Sequence, residues 1–331
     1  MSRPFAPGSV SLGLHPIEGR DGPGQAGALV EQAVAAEAAG FDGVTLSEHH
    51  GRFPGYMGQP LLATTWCLAE TERIWAGPAP YLLGLRNPIL VAEELAWTAA
   101  RFPGRVGAAF APGYARADFE LLGIDFEQRT ARFVKALDTL LDTLRGARGP
   151  SDPAIEAWAA DPGPILTAGN SRPGVRRAAA GGTGLLLPGG NARERYDELI
   201  GIYRDTCPSA PPGPVVKIRQ IWMGSPPEGA LEARDAVYRQ AATAQMRQAA
   251  GFAEPFLYGS DEHVLEELAR DAEEFGLDAM NIRFHLADVA HEAVLEQIAR
   301  FGEAVLPRLA FPTAGIQPAR PARSAGEASQ S

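Results

Sequence analysis

The chain is poor in several things that would mark other classes of protein. It has only two cysteines in 331 residues, Cys67 and Cys207, far apart in sequence, so neither a disulfide framework nor a cysteine-based metal site is expected. No apolar run approaches the roughly 20 residues of a membrane span, so no membrane contact is expected. The opening segment, MSRPFAPGSVSLG, lacks a signal-peptide core, and a cytoplasmic location is the expectation. There is no basic stripe. With Lys+Arg 30 against Asp+Glu 40 the net charge is −10, which argues against binding a phosphate backbone, so no nucleic-acid partner is expected. No Gly-x-Gly-x-x-Gly follows the first apolar run, and no His-Glu-x-x-His occurs, which weakens a dinucleotide fold and a zinc site alike. No resident metal is expected.

What is present is an alternation. Hydrophobic residues make up 45%, and Gly 37 plus Pro 28 form about a fifth of the chain, some of them at the ends of apolar runs where an α/β protein keeps its turns. Strand-like segments begin near Val10, Phe41, Ile74, Val106, Ile165, Gly184, Val215 and Met280, and helical patterns separate them. Gly40 closes the first helix as a normal stop signal, and Pro88 opens the third. Eight parallel strand–helix units predict a closed (β/α)8 TIM barrel over residues 1–311, read as a single domain. The stretch 224–261 is too long for a simple βα loop and carries a helical pattern from Ala230 to Ala250, so it is a candidate lid. Residues 312–331 are Pro/Ala/Arg/Ser-rich and aperiodic, and are expected to be a disordered tail.

In such a barrel the chemistry sits where strands end. The second strand ends in Ser47-Glu48-His49-His50, residues able to act as base, metal ligand or strand-end cap. The third contains two prolines, in Gly77-Pro78-Ala79-Pro80-Tyr81, which marks a bulge, a cis bond or a plain kink. The fourth ends in Ala111-Pro112-Gly113. The fifth ends in Ala168-Gly169-Asn170-Ser171, with Pro173 just inside the next helix, where Ser171 serves either as N-cap or, with free amides, as a phosphate holder. On the last two strands Lys217 and Arg219, then Asn281, Arg283 and His285, alternate. Arg219 and Arg283 are expected to point into the barrel and meet carboxylates such as Glu48, either as an ion network or as a positive interior for an anionic ring.

In their order and spacing these pieces resemble the bacterial-luciferase-like family of flavin-dependent monooxygenases. They are Ala39-Gly40-Phe41-Asp42 leading to Ser47-Glu48-His49-His50, then Arg86-Asn87-Pro88 with Ala92-Glu93-Glu94, Gly104-Arg105-Val106, Gly113-Tyr114, Asp118-Phe119, Leu122-Gly123, Ala168-Gly169-Asn170-Ser171 and Gly259-Ser260. The resemblance implies reduced flavin mononucleotide (FMN), a separate flavin reductase, O2 and a small-molecule substrate. It also implies a homodimer through helices two and three. It places the base or proton relay at His49 with Glu48 beside it, a cis step against the flavin ring at Ala79-Pro80, and the phosphate-binding serine at Ser171. Ala111, Ala168, Gly169 and Asn170 complete the implied cofactor contacts. Pro112 departs from the cysteine–arginine pair of some relatives; either Arg172 or Arg116 substitutes, or the phosphate site is weaker. Two other readings stay open: a deazaflavin (coenzyme F420)-dependent hydride-transfer enzyme, and a non-catalytic flavin-binding barrel or partner subunit.

Overall fold

The computed structural model describes residues 2–51, 53–148, 152–208, 212–241 and 254–312. Its strands are β1 (Val10–Leu14), β2 (Gly43–Leu46), β3 (Trp75–Pro78), β4 (Tyr81–Leu82), β5 (Ala108–Ala111), β6 (Ile165–Ala168), β7 (Gly184–Leu187), β8 (Val215–Met223), β9 (Leu257–Gly259) and β10 (Ala279–Arg283). They run in the order β3-β2-β1-β10-β8-β7-β6-β5-β4, all pairs parallel. Bridging of Ala76 to Val106 joins β3 back to the strand that begins β5, and so closes the ring. β3 and β4 are one interrupted barrel strand, and the Ala79–Pro80 bond that separates them is cis. The expected (β/α)8 TIM barrel is therefore the observed fold.

Around the sheet lie α1 (Gly22–Ala39), α2 (Pro60–Ala69), α3 (Pro88–Arg101), α4 (Arg116–Leu121), α5 (Arg129–Leu144), α6 (Pro153–Ala160), α7 (Arg172–Ala180), α8 (Arg193–Thr206), α9 (Ala230–Ala241), α10 (Asp261–Phe275) and α11 (His291–Ala304). Their ends follow local chemistry. Asp21 caps α1 through Gly24 N–H, and Gly40 ends it in the left-handed region at φ 92°. Asn87 caps α3 ahead of Pro88, and Ser260 caps α10 through His263 N–H. The short helices α4 and α6 were not visible as patterns in the sequence, because six and eight residues are too few to show a period.

Strand burial is nearly continuous, as expected when helices cover one face of a sheet and the barrel interior the other. The interior packs Trp75, Ala109, Leu166, Leu186, Val216 and Ile218 together. Phe5, from the segment before β1, joins this cluster 4.5 Å from the Trp75 ring and plugs the N-terminal end of the barrel. Gly43 is required there, since a Cβ on it would lie 2.1 Å from the Trp75 ring.

The insertion after β8 forms α9 and returns as β9, which pairs with β8 itself (Ile221 with Leu257). The helical pattern expected to reach Ala250 is observed to Ala241; positions 242–253 lie outside the described residues, as do 313–331 of the expected tail. Among the described residues no helix is long and apolar enough to cross a membrane.

Candidate active site at the C-terminal rim

The sequence places the chemistry on four consecutive strand ends, and the sheet order brings them together. The ends of β2, β3/β4, β5 and β6 are neighbours, with Leu82 level with Ala111 and Phe110 level with Thr167. Glu48, His49, Ala79, Pro80, Ala111 and the run Ala168–Ser171 thus share one arc of the rim.

His49 is 6% exposed. Its Nδ1 lies 2.8 Å from Asp118 Oδ2, and the other oxygen of Asp118 accepts the His50 backbone N–H at 2.8 Å. A carboxylate only accepts, so Nδ1 carries the proton and Nε2 is the nitrogen free to exchange one. Asp118 sits in the first turn of α4 and is 1% exposed. Its role was missed because it lies 69 residues from His49 on another element. The only signal was its place in the Asp118-Phe119 pair of the resemblance. Around His49 stand Phe53, stacked at 4.0 Å, and Tyr56 and Tyr114, edge-on at 4.8 and 5.2 Å.

Glu48 is adjacent in sequence but turned elsewhere. Its Oε2 accepts Leu82 N–H at 2.6 Å, and its Oε1 accepts Arg86 and, at 2.8 Å, His50 Nε2. With a fully buried carboxylate and three donors on it, Glu48 ties β2 to the second half of the interrupted strand. The Ala79 carbonyl, at the cis step, accepts Ser47 Oγ at 2.8 Å and Arg283 Nη2 at 3.0 Å.

Arg283 does point inward, as expected, but it meets Ala79 O and Asn281 Oδ1 rather than Glu48. For Arg219 the expectation is overturned. Val216 and Ile218 face the interior, so Lys217 and Arg219, one residue out of phase, face the helices. There Lys217 Nζ lies 2.6 Å from both Glu254 and Asp271, and Arg219 lies 3.0 and 3.5 Å from the same two carboxylates. Glu254 also accepts Gly190 N–H at 3.0 Å and Tyr196 OH at 3.1 Å. The network fastens the returning end of the insertion to the loop after β7. At the other end of the insertion, Arg234 of α9 donates to Gln220 at the top of β8 and lies over the Phe256 ring. This holds α9 against the rim.

At the fifth unit Ser171 is the N-cap of α7 and its Oγ accepts Gly174 N–H at 3.2 Å. The hydroxyl proton is left to donate, and the helix start is exposed. Arg172 and Arg195 flank this end, both paired to Glu198, and Arg195 also reaches Asn170 O. Of the two expected substitutes for the arginine missing at Pro112, Arg172 stands beside Ser171, whereas Arg116 pairs with Glu127 at 2.6 Å and lies over the Phe126 ring. An anionic phosphate fits this corner on charge and on available donors.

Three further groups share the rim. His15, at the end of β1, donates Nδ1–H to Gly55 O at 2.9 Å. Its ring stacks on His285, which follows β10, at 4.1 Å. Tyr56 touches both, so one tyrosine ring separates this pair from His49. Burial, then the Arg283 and Arg234 charges, lower the His285 pKa to about 3. His15 is lowered as well, by burial first and then by His285 and Arg283. Cys67 is buried in α2, its thiol pushed up to about 12 by burial, and Cys207 caps α8; both are free thiols.

Known proteins share this fold. The chain spans about half the length, or less, of the curated relatives it matches. A coenzyme F420-dependent glucose-6-phosphate dehydrogenase of Kribbella flavida is 29% identical over 187 residues, 52% of this chain and 56% of that one. Among solved structures, the monooxygenase RslO1 of Streptomyces bottropensis superimposes with a TM-score of 0.72 at 19% identity, over 91% of this chain and 100% of that one. The oxygenating constituent of 3,6-diketocamphane monooxygenase of Pseudomonas putida, in complex with FMN, gives 0.74 at 15% identity, over 93% and 99%. At those identities the structures attest the fold alone. The family model described as luciferase-like monooxygenase matches residues 8–307, and the chain belongs to that family of oxidoreductases.

Proposed function

We propose that the protein is a monooxygenase that uses reduced FMN and O2 on a small organic substrate. The observation that carries this reading is the buried His49–Asp118 pair, walled by Phe53, Tyr56 and Tyr114 at the mouth of the barrel. Bound reduced flavin would supply the two electrons with which O2 is divided between substrate and water. Ser171, with Gly169, Asn170 and Arg172, would hold its phosphate. The strand ends at Ala79, Pro80 and Ala111 would lie against its ring. His49 takes or gives a proton at Nε2, while Asp118 holds the tautomer and the ring plane. Glu48 is a positioning residue, because its oxygens are already committed to Leu82 N–H, Arg86 and His50. The aromatic walls and α9 exclude water, which matters when a reactive oxidant must meet the substrate before solvent does.

A second copy of the chain fits on α2 and α3, where Leu62, Ile89, Leu90 and Trp97 are 43–55% exposed. Electrons would reach the flavin from a separate reductase.

The Kribbella flavida relative favours a second reading, hydride transfer with a deazaflavin. There His49 Nε2 would take the proton that an alcohol loses on oxidation. Anaerobic titration with reduced FMN, oxidised FMN and coenzyme F420, followed by admission of O2, tests the two. Preferred binding of reduced FMN and substrate-dependent O2 uptake are expected. Preference for F420 with no O2 uptake would overturn the first reading in favour of the second.

A further inference from the structure

Arg283 is 5% exposed and makes no ion pair with any of the described residues. A guanidinium keeps its charge in a protein, and a buried charge without a counter-ion is costly. The other buried cations are provided for. Lys217 and Arg219 are each met by Glu254 and Asp271. Arg105, at the N-terminal end of the barrel, donates from all three guanidinium nitrogens, to Ile74 O, Leu68 O and Thr71 Oγ1.

Arg283 is nonetheless held in one place. Asn281 donates below to Ser11 Oγ at 3.0 Å and Thr45 Oγ1 at 2.8 Å, and turns its Oδ1 to accept Arg283 Nε at 2.9 Å. Nη2 donates to Ala79 O at 3.0 Å. To reach it the side chain crosses β1 at Gly13, where a Cβ would lie 2.7 Å from Arg283 Cγ. Nη1 is left over. It makes no hydrogen bond with the described residues, and unlike the orphaned His15 and His285 nitrogens it is not sealed from solvent. The charge is felt nearby: His285 and His15 are lowered first by burial, with Arg283 among the further causes.

A fixed, unpaired cation bonded to the carbonyl of the cis Ala79–Pro80 step is a receptor for negative charge that arrives with a ligand. An oxidised flavin or deazaflavin ring is neutral. Its two-electron-reduced form loses the N1 proton readily and spreads the charge over N1 and the neighbouring carbonyl. Resting on the placement of the cofactor ring against Ala79 and Pro80, we propose that Arg283 is a cofactor-binding residue that selects the reduced, anionic ring over the oxidised, neutral one. Arg219 has no such part, because Glu254 and Asp271 already neutralise it. An enzyme that receives reduced cofactor from another protein must prefer it to the oxidised form. One charge in a mouth of low dielectric supplies that preference.

The test is anaerobic titration of the full chain with oxidised and reduced FMN, for the wild type, Arg283→Met and Arg283→Lys. The wild type is expected to bind reduced FMN at least about tenfold more tightly, which raises the bound two-electron potential by about 30 mV. Arg283→Met is expected to bring the two affinities within about twofold of each other, with oxidised FMN bound as before. Arg283→Lys keeps the charge and is expected to keep most of the preference. A purely structural arginine moves both affinities together and leaves their ratio alone. That result, or a wild-type ratio near one, would overturn the proposal. Arg283→Gln, which keeps an amide donor for Ala79 O, reads the same ratio where Arg283→Met fails to fold. A parallel titration with oxidised and reduced F420 separates this inference from the proposed function. An Arg283-dependent preference shown with F420 and not with FMN upholds the role of Arg283 and sinks the monooxygenase reading. Tight FMN binding with a ratio indifferent to Arg283 sinks the inference and leaves that reading standing. Binding of neither cofactor sinks both.

Discussion

The neutral histidine pair makes a quantitative demand on acid stability. His285 titrates near 3 in the folded protein and about 6.5 when unfolded. Between those values the unfolded chain binds more protons, so stability rises with pH across the window and is lost as pH falls from about 6.5 toward 3. At pH 5 the unfolded side chain is almost fully protonated and the folded one almost none. With 1.36 kcal/mol per pKa unit, His285 alone then costs about 2 kcal/mol of stability relative to pH 8. His285→Asn removes this titration and keeps a small polar side chain. Urea unfolding at pH 8 and pH 5, followed by fluorescence of the buried Trp75 and the other tryptophans, gives four free energies. The wild type is expected to lose about 2 kcal/mol more than the variant between the two pH values. The intrinsic cost of the substitution cancels in that difference. Equal losses would refute the premise that the stacked rings are held neutral.

Other outcomes follow from the rim and from the ion network. His49→Ala is expected to lower turnover by about 10²-fold or more with cofactor affinity retained, and Asp118→Asn to do the same by favouring the wrong tautomer; steady-state kinetics beside a flavin titration check both. Gly55→Ala forces a side chain at φ 71° and a Cβ 1.9 Å from His285 Nε2, so a loss of about 2–4 kcal/mol and a displaced 53–57 loop are expected, measured by thermal unfolding. Lys217→Met leaves Glu254 and Asp271 to Arg219 and Arg193 alone, and is expected to cost about 3 kcal/mol in urea unfolding.

How much of this was legible beforehand differs from element to element. The strand starts at Val10, Ile165 and Gly184 could be read because a strand buried on both faces is a largely apolar run. The end of α1 could be read because Gly40 is the residue that tolerates a left-handed cap. Asp118 was legible only as a letter of a motif. Its contact with His49 spans 69 residues, with α2, β3, β4, α3 and β5 lying between, and loop closure leaves no local signature. The 254–256 stretch gave no warning that Glu254 would neutralise Lys217. That pairing depends on where an insertion returns.

The sequence by itself determined the number and order of the strand–helix units, the caps, and the set of polar side chains delivered to the strand ends. These depend on neighbours within a few residues. Only the tertiary structure decided direction and partnership. Lys217 and Arg219 alternate on β8 as Asn281 and Arg283 do on β10, and nothing local distinguishes them. Yet one pair faces the helices and the other the interior. A strand has two faces, and a period of two cannot say which of them the closed barrel turns inward.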